Sequence, residues 1–199
     1  ENLPALPNSN ADIRVVDLGC GNGLLGVEFI RQNLGQIEDF VDPLKFKVVF
    51  TDESFMAIES ARYNVETAIK TALEPNKNSD SDSDCNNGNG NIDDNSSKIL
   101  MDQVCEFQQD DCLTKQDEES ADLILCNPPF HQQQAITTHI GEQMIHQASK
   151  VLKNGGELYL VANRHLPYQS MLKKAFGGFR VLTTNNKFTI YVCVKKNRK

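Results

Sequence analysis

The chain has 199 residues, 39% hydrophobic and 24% charged, which is the makeup of one globular domain with a single core. Its apolar runs fall well short of the roughly 20 residues a membrane-spanning helix needs, so a membrane protein is excluded at this level. The net charge of −7 is unevenly divided: residues 150–199 carry eleven Lys or Arg against the single acid Glu157, making that stretch +10 and the first 149 residues −17.

Such asymmetry suits a basic face for a polyanion. A solvated basic edge accounts for it as well, because Lys195, Lys196, Arg198 and Lys199 sit in the last five residues. The chain starts Glu1-Asn2-Leu3-Pro4, without Met or a basic segment leading into an apolar one, which argues against a secretion signal and for a piece of a longer chain. Cys20, Cys85, Cys105, Cys112, Cys126 and Cys193 form no CxxC pair and no metal-ligand spacing. Reduced thiols in a cytoplasmic protein, and no bound metal, are the expectation.

The first predicted strand, IRVVDL at 13–18, is β-branched and runs into a Gly-rich turn, with a helix over 24–34 behind it. A second strand follows at 47–52. Ser54 can cap the next helix, which reaches 73 with Ile58, Ala61, Val65 and Ile69 on one face. Residues 76–97 are nearly all Asn, Ser, Asp and Gly and read as a disordered surface insertion, too poor in apolar surface to offset its ordering entropy. A third strand is expected at 104–108 and a fourth at 121–126. A helix over 135–152 carries Ile140, Met144, Ala148, Val151 and Leu152 at helical spacing and is stopped by Gly155-Gly156. A fifth strand at 157–162, a helix at 167–176 and a strand pair at 179–183 and 188–195 around Asn185-Asn186 complete the chain. This alternation predicts a doubly wound, mostly parallel α/β sheet with one antiparallel strand added by the last hairpin.

Two motifs carry chemistry. In DLGCGNG at 17–23, Gly19, Gly21 and Gly23 sit at a strand-to-helix turn, where glycines permit close backbone approach to a ligand. Asp17 precedes the turn and no basic residue lies in it, which favours a zwitterionic nucleoside over a pyrophosphate. Asp52, ending the second strand, can accept from ribose hydroxyls. Asp111 or its neighbour Asp110 falls just past the third strand.

The second motif is Asn127-Pro128-Pro129-Phe130 after the fourth strand. An exocyclic amine donates its lone pair poorly because the ring delocalises it. The Asn127 side-chain oxygen and a carbonyl such as that of Pro128 can hold the NH2 with its lone pair toward a methyl donor. The prolines fix that carbonyl with little entropy left to lose. Phe130 can stack on an extruded base. Positioning supplies most of the barrier reduction, so no metal or covalent nucleophile is required.

DLGCGNG resembles the glycine motif of class I methyltransferases, and NPPF resembles enzymes that methylate adenine N6, guanine N2 or glutamine amides. Together with NPPFHQQQA at 127–135, VANRHLPY at 161–168, TNNKF at 184–188 and Asp52-Glu53-Ser54, the chain is similar to the large-subunit ribosomal RNA guanine-N2 methyltransferase family over nearly its whole length outside the insertion. The small-subunit guanine-N2 enzymes share NPPF but match less well around Arg164-His165.

The resemblance implies a Rossmann-like, seven-stranded class I fold spanning 1–199, with S-adenosylmethionine as cofactor. It implies that Asp17, Gly19, Gly21, Gly23, Asp52, Asp111 and Asn127 hold that cofactor, Asp111 through the adenine amine. A monomer acting on 23S ribosomal RNA is expected, with a further N-terminal half in the full-length protein. His131, Arg164, His165 and Lys187 fall on the Asn127 side as candidates for RNA contact, or as locally satisfied loop residues.

Overall fold

The computed structural model describes residues 3–4, 12–38, 46–73, 94–129, 134–164 and 166–196. Its strands are β1 (Ile13–Leu18), β2 (Phe46–Asp52), β3 (Cys105–Gln109), β4 (Ala121–Cys126), β5 (Leu152–Asn163), β6 (Arg180–Thr184) and β7 (Phe188–Val194). Its helices are α1 (Leu24–Glu38), α2 (Phe55–Leu73), α3 (Asp94–Val104), α4 (Gln134–Val151) and α5 (Tyr168–Phe176). The strands form one sheet in the order β3-β2-β1-β4-β5-β7-β6. All neighbours are parallel except β7, which runs antiparallel to both β5 and β6, as the sequence pattern predicts.

The inner strands are apolar on both faces because helices cover both. On one face Phe29 and Ile30 of α1, Ile58, Ala61, Val65 and Ile69 of α2 and Met101 of α3 pack on Val15, Val48 and Phe50. On the other, Met144, Ile145 and Ala148 of α4 and Tyr168 and Leu172 of α5 pack on Val16, Leu18, Ile124 and Leu160. Ser54 does cap α2: its Oγ accepts the Ala57 N–H at 3.3 Å.

Strand order reverses between β1 and β4, the switch point at which open α/β sheets leave a crevice beyond their carboxyl ends. Leu18 is paired with Cys126 across that junction. The glycine turn and the Asn127 turn therefore leave the sheet side by side.

Three expectations need correction. The predicted insertion ends too late: α3 begins at Asp94, and Ser97 is 1% exposed, on the same face as buried Met101 and Val104. The spacing 97, 101, 104 is helical, but its first turn is written in the Asn/Ser/Asp alphabet of the run before it. Val104 thus ends a helix, and the strand starts at Cys105. Gly155-Gly156 does not stop α4, which ends at Val151; Leu152 already opens β5. The Gly155 N–H donates to the Lys195 carbonyl, and the Lys195 N–H to that of Gly156, so the pair continues into the sheet. A Cβ on Gly156 would lie 2.9 Å from the Lys153 carbonyl and 3.0 Å from that of Asp122, and this close approach is what requires glycine.

Candidate active site

Asp17 is 1% exposed, and its Oδ2 accepts the Gly26 N–H at 2.8 Å. Burial, opposed by that bond and reinforced by the charge of Asp52, pushes its carboxyl up to about 7. Gly26 is required there, since a Cβ would meet the Phe50 ring at 2.3 Å and Asp17 Oδ2 at 3.0 Å. Gly21 differs. It has φ +54° with nothing near its missing Cβ, so its backbone faces the crevice openly.

Asp52 ties the turn to the next helix. Its Oδ2 accepts the Gly21 N–H and its Oδ1 the Ser54 N–H, both at 2.9 Å. Those bonds fix the carboxylate while leaving lone pairs for a ligand. From α2, Asn64 Nδ2 donates to the Asn22 carbonyl at 2.8 Å and braces the turn from outside.

The two acids after β3 separate cleanly. Asp110 is 3% exposed and turned into its own loop, accepting from the Thr114 hydroxyl and, at 2.9 Å, from the Lys115 N–H. Asp111 faces the crevice, where Gln143 Nε2 of α4 donates to its Oδ1 at 3.2 Å.

These groups line a cleft of about 460 Å³. Asp17, Gly19, Gly21, Asp52, Asp111, Asn127, Pro128 and Pro129 all border it; Gly23 instead lies beneath it, against Ala61. Four carboxylates face the cleft (Asp17, Asp52, Glu53, Asp111), and no Lys or Arg among the described residues does. Pro128 is buried while Asn127 is exposed at the rim. Sequence reading passed over Gln143 and took Met144 only for a packing residue, because helical spacing marks a face but not the residue that turns toward a ligand. Gly26 had a signal: it is the fourth glycine of DLGCGNGLLG.

Arg164 and Lys187 come together at the carboxyl end of β5, the edge on which the cleft opens. The Arg164 N–H donates to the Lys187 carbonyl at 3.2 Å, and its Nη1 to that of Asn185 at 3.3 Å. Phe130, His131 and His165 lie outside the described residues. Among the described residues no cluster of three or more His, Cys, Asp or Glu is placed to hold a metal. Among them, too, no helix is long and apolar enough to cross a membrane.

Residues 2–92 and 88–192 match the pattern of the methyltransferase small domain family. The chain belongs to that family. Among methyltransferase small domains, it is 42% identical over 181 residues to the ribosomal RNA large subunit methyltransferase G of Cronobacter sakazakii, covering 91% of this chain and 38% of that protein. It is 35% identical over 190 residues to the enzyme of the same name from Pseudoalteromonas translucida, covering 96% of this chain and 40% of the relative. The chain thus spans about two fifths of the curated relatives it matches. In fold it is similar to the T. thermophilus 16S rRNA N2 G1207 methyltransferase, solved with AdoMet and guanosine, at a TM-score of 0.61 and 20% identity, covering 94% of this chain and 38% of that one. The likeness to TrmN from Thermus thermophilus has a TM-score of 0.54 at 17% identity, covering 93% of this chain and 44% of the other. The fold is that of class I S-adenosylmethionine-dependent methyltransferases.

Proposed function

We propose that this methyltransferase small domain moves a methyl group from S-adenosylmethionine to the exocyclic N2 of a guanine in 23S ribosomal RNA, as a cytoplasmic monomer without a metal. The reading rests on one juxtaposition. The Leu18–Cys126 pairing sets the acid-lined cleft, which no Lys or Arg borders among the described residues, against the Asn127 turn. A pyrophosphate would meet four carboxylates there, whereas a sulfonium and an ammonium would be welcomed. The volume suits a nucleoside-sized ligand.

When bound, the cofactor supplies a methyl on a positively charged sulfur. The rest falls to this chain. Asp52 accepts from the ribose hydroxyls, and Asp111, held by Gln143, from the adenine amine. Asp17, when ionised, draws the cofactor's positive charge toward the glycine turn. The Asn127 side-chain oxygen and the Pro128 carbonyl accept hydrogen bonds from the two amine hydrogens, the methylated amine then releases one proton to solvent, and Phe130 is assigned to stack on the base. Arg164 and Lys187, with His131 and His165, are assigned to the RNA. The ribosomal RNA large subunit names of the relatives support large-subunit RNA over the small-subunit and glutamine alternatives, while guanine over adenine rests on the resemblance of the motifs.

Calorimetry with S-adenosylhomocysteine tests the cleft, and absence of binding removes the reading. Asn127→Ala is expected to lower kcat about 10²–10³-fold, far more than it weakens cofactor binding. Retained activity would contradict the role given to Asn127.

A further inference from the structure

Tyr168 opens α5 directly after the VANRHLP stretch and is 1% exposed. Its hydroxyl is buried without a hydrogen-bond partner, alone in this among the described side chains. A phenylalanine of the same shape would fill the space without an orphaned donor, so the hydroxyl needs a reason.

Its surroundings point to the methyl-transfer site. The ring lies against Gly141 of α4, where a Cβ would come within 2.7 Å of Cε1 and 3.2 Å of Oη. Ile140, Gln143 and Met144 of the same helix line the cleft, so Tyr168 sits behind that wall. It shares a packed cluster with Cys126, the residue immediately before Asn127. Burial first, and Cys126 second, push the phenol up to about 12, so the group stays a neutral donor throughout the physiological range.

We propose that Tyr168 is a positioning residue: its hydroxyl, unpaired in the resting protein, donates to the backbone of the turn that begins at Asn127 once an amine is held there, and so fixes the acceptor pair. The inference rests on the methyl-transfer reading above. The resting structure bears the cost of an unpaired hydroxyl, and the bond forms only when the turn is engaged.

The test is Tyr168→Phe, made in the protein with its natural flanking sequence retained. Thermal unfolding, calorimetry with S-adenosylhomocysteine and single-turnover methylation of 23S RNA transcripts are compared with wild type. A Tm equal to or above wild type, an unchanged Kd and a transfer rate lowered about tenfold are expected. An unchanged rate overturns the inference. So does a rate that falls together with Tm, which would mean that the hydroxyl is already satisfied in the resting state. A Kd that weakens as much as the rate overturns it too, by placing the hydroxyl in the service of the cofactor cleft. A wild-type protein that transfers no methyl group to any acceptor fails the functional reading and this inference with it. An active wild type with an unaffected Phe variant fails this inference alone.

Discussion

Asp17 carries the sharpest electrostatic consequence at the scale of one residue. Its carboxyl stands near 7 in the folded chain against an ordinary 3.8, chiefly because it is buried. Between those values the folded state holds a proton that the unfolded chain has released. Stability of the ligand-free protein is therefore expected to fall as pH rises from about 4 to 7 and to level off above, by at most about 4 kcal/mol from this group. Cofactor affinity should move the other way, rising from pH 6 to 8 as the carboxylate forms beside a cation. Calorimetry across that range checks it: Asp17→Asn should flatten the profile, and a profile unchanged by the substitution would contradict the assignment. The neighbouring glycines separate steric need from conformational need. Gly26→Ala drives a methyl into Phe50 and Asp17 and should cost about 1–3 kcal/mol or more by overpacking. Gly21→Ala meets no atom and should cost only its left-handed backbone, about 1–2 kcal/mol. Denaturant unfolding of the two variants measures the difference, and a greater loss at Gly21 would refute it.

Among the elements, those with their own punctuation were legible in the sequence. The β-branched runs of β1 and β2, the apolar run of β4, the Ser54 cap and the Asn185-Asn186 turn each carry a local signal, and each element lies where that signal puts it. Ser54→Ala should accordingly lower stability by about 1 kcal/mol, read as a shift in the denaturation midpoint. α3 was hidden because its first turn shares the composition of the preceding run, and only tertiary contact at Ser97, Met101 and Val104 makes it a helix. Gly155-Gly156 misled for a related reason: a glycine pair marks either a helix end or a close backbone approach, and the pairing with Lys195 decides. At the site, the two glycine and proline motifs were legible because backbone conformation demands those residue types. The choice of Asp111 over Asp110 came from the family resemblance alone, since on the residues it depends on which carboxylate its own loop consumes.

For the whole molecule, residues 150–199 carry the excess positive charge, and two of their basic residues, Arg164 and Lys187, are held together at the carboxyl end of β5, the sheet edge on which the cleft opens. If they meet RNA phosphates, binding must weaken with salt. Replacing Arg164 and Lys187 by Ala should lower affinity for every RNA sequence alike and reduce the slope of log K against log salt by roughly one for each phosphate no longer neutralised. An unchanged slope would place both side chains away from the nucleic acid. Every acid but Glu157 lies in the first 149 residues, and four of them face the cleft. The central claim, that the amine held at Asn127 is guanine N2 of large-subunit RNA, is tested most directly by nucleoside mass spectrometry of unmodified 23S RNA incubated with the natural-length protein and S-adenosylmethionine. N2-methylguanosine is the predicted product; N6-methyladenosine, or no methylated nucleoside at all, would contradict it.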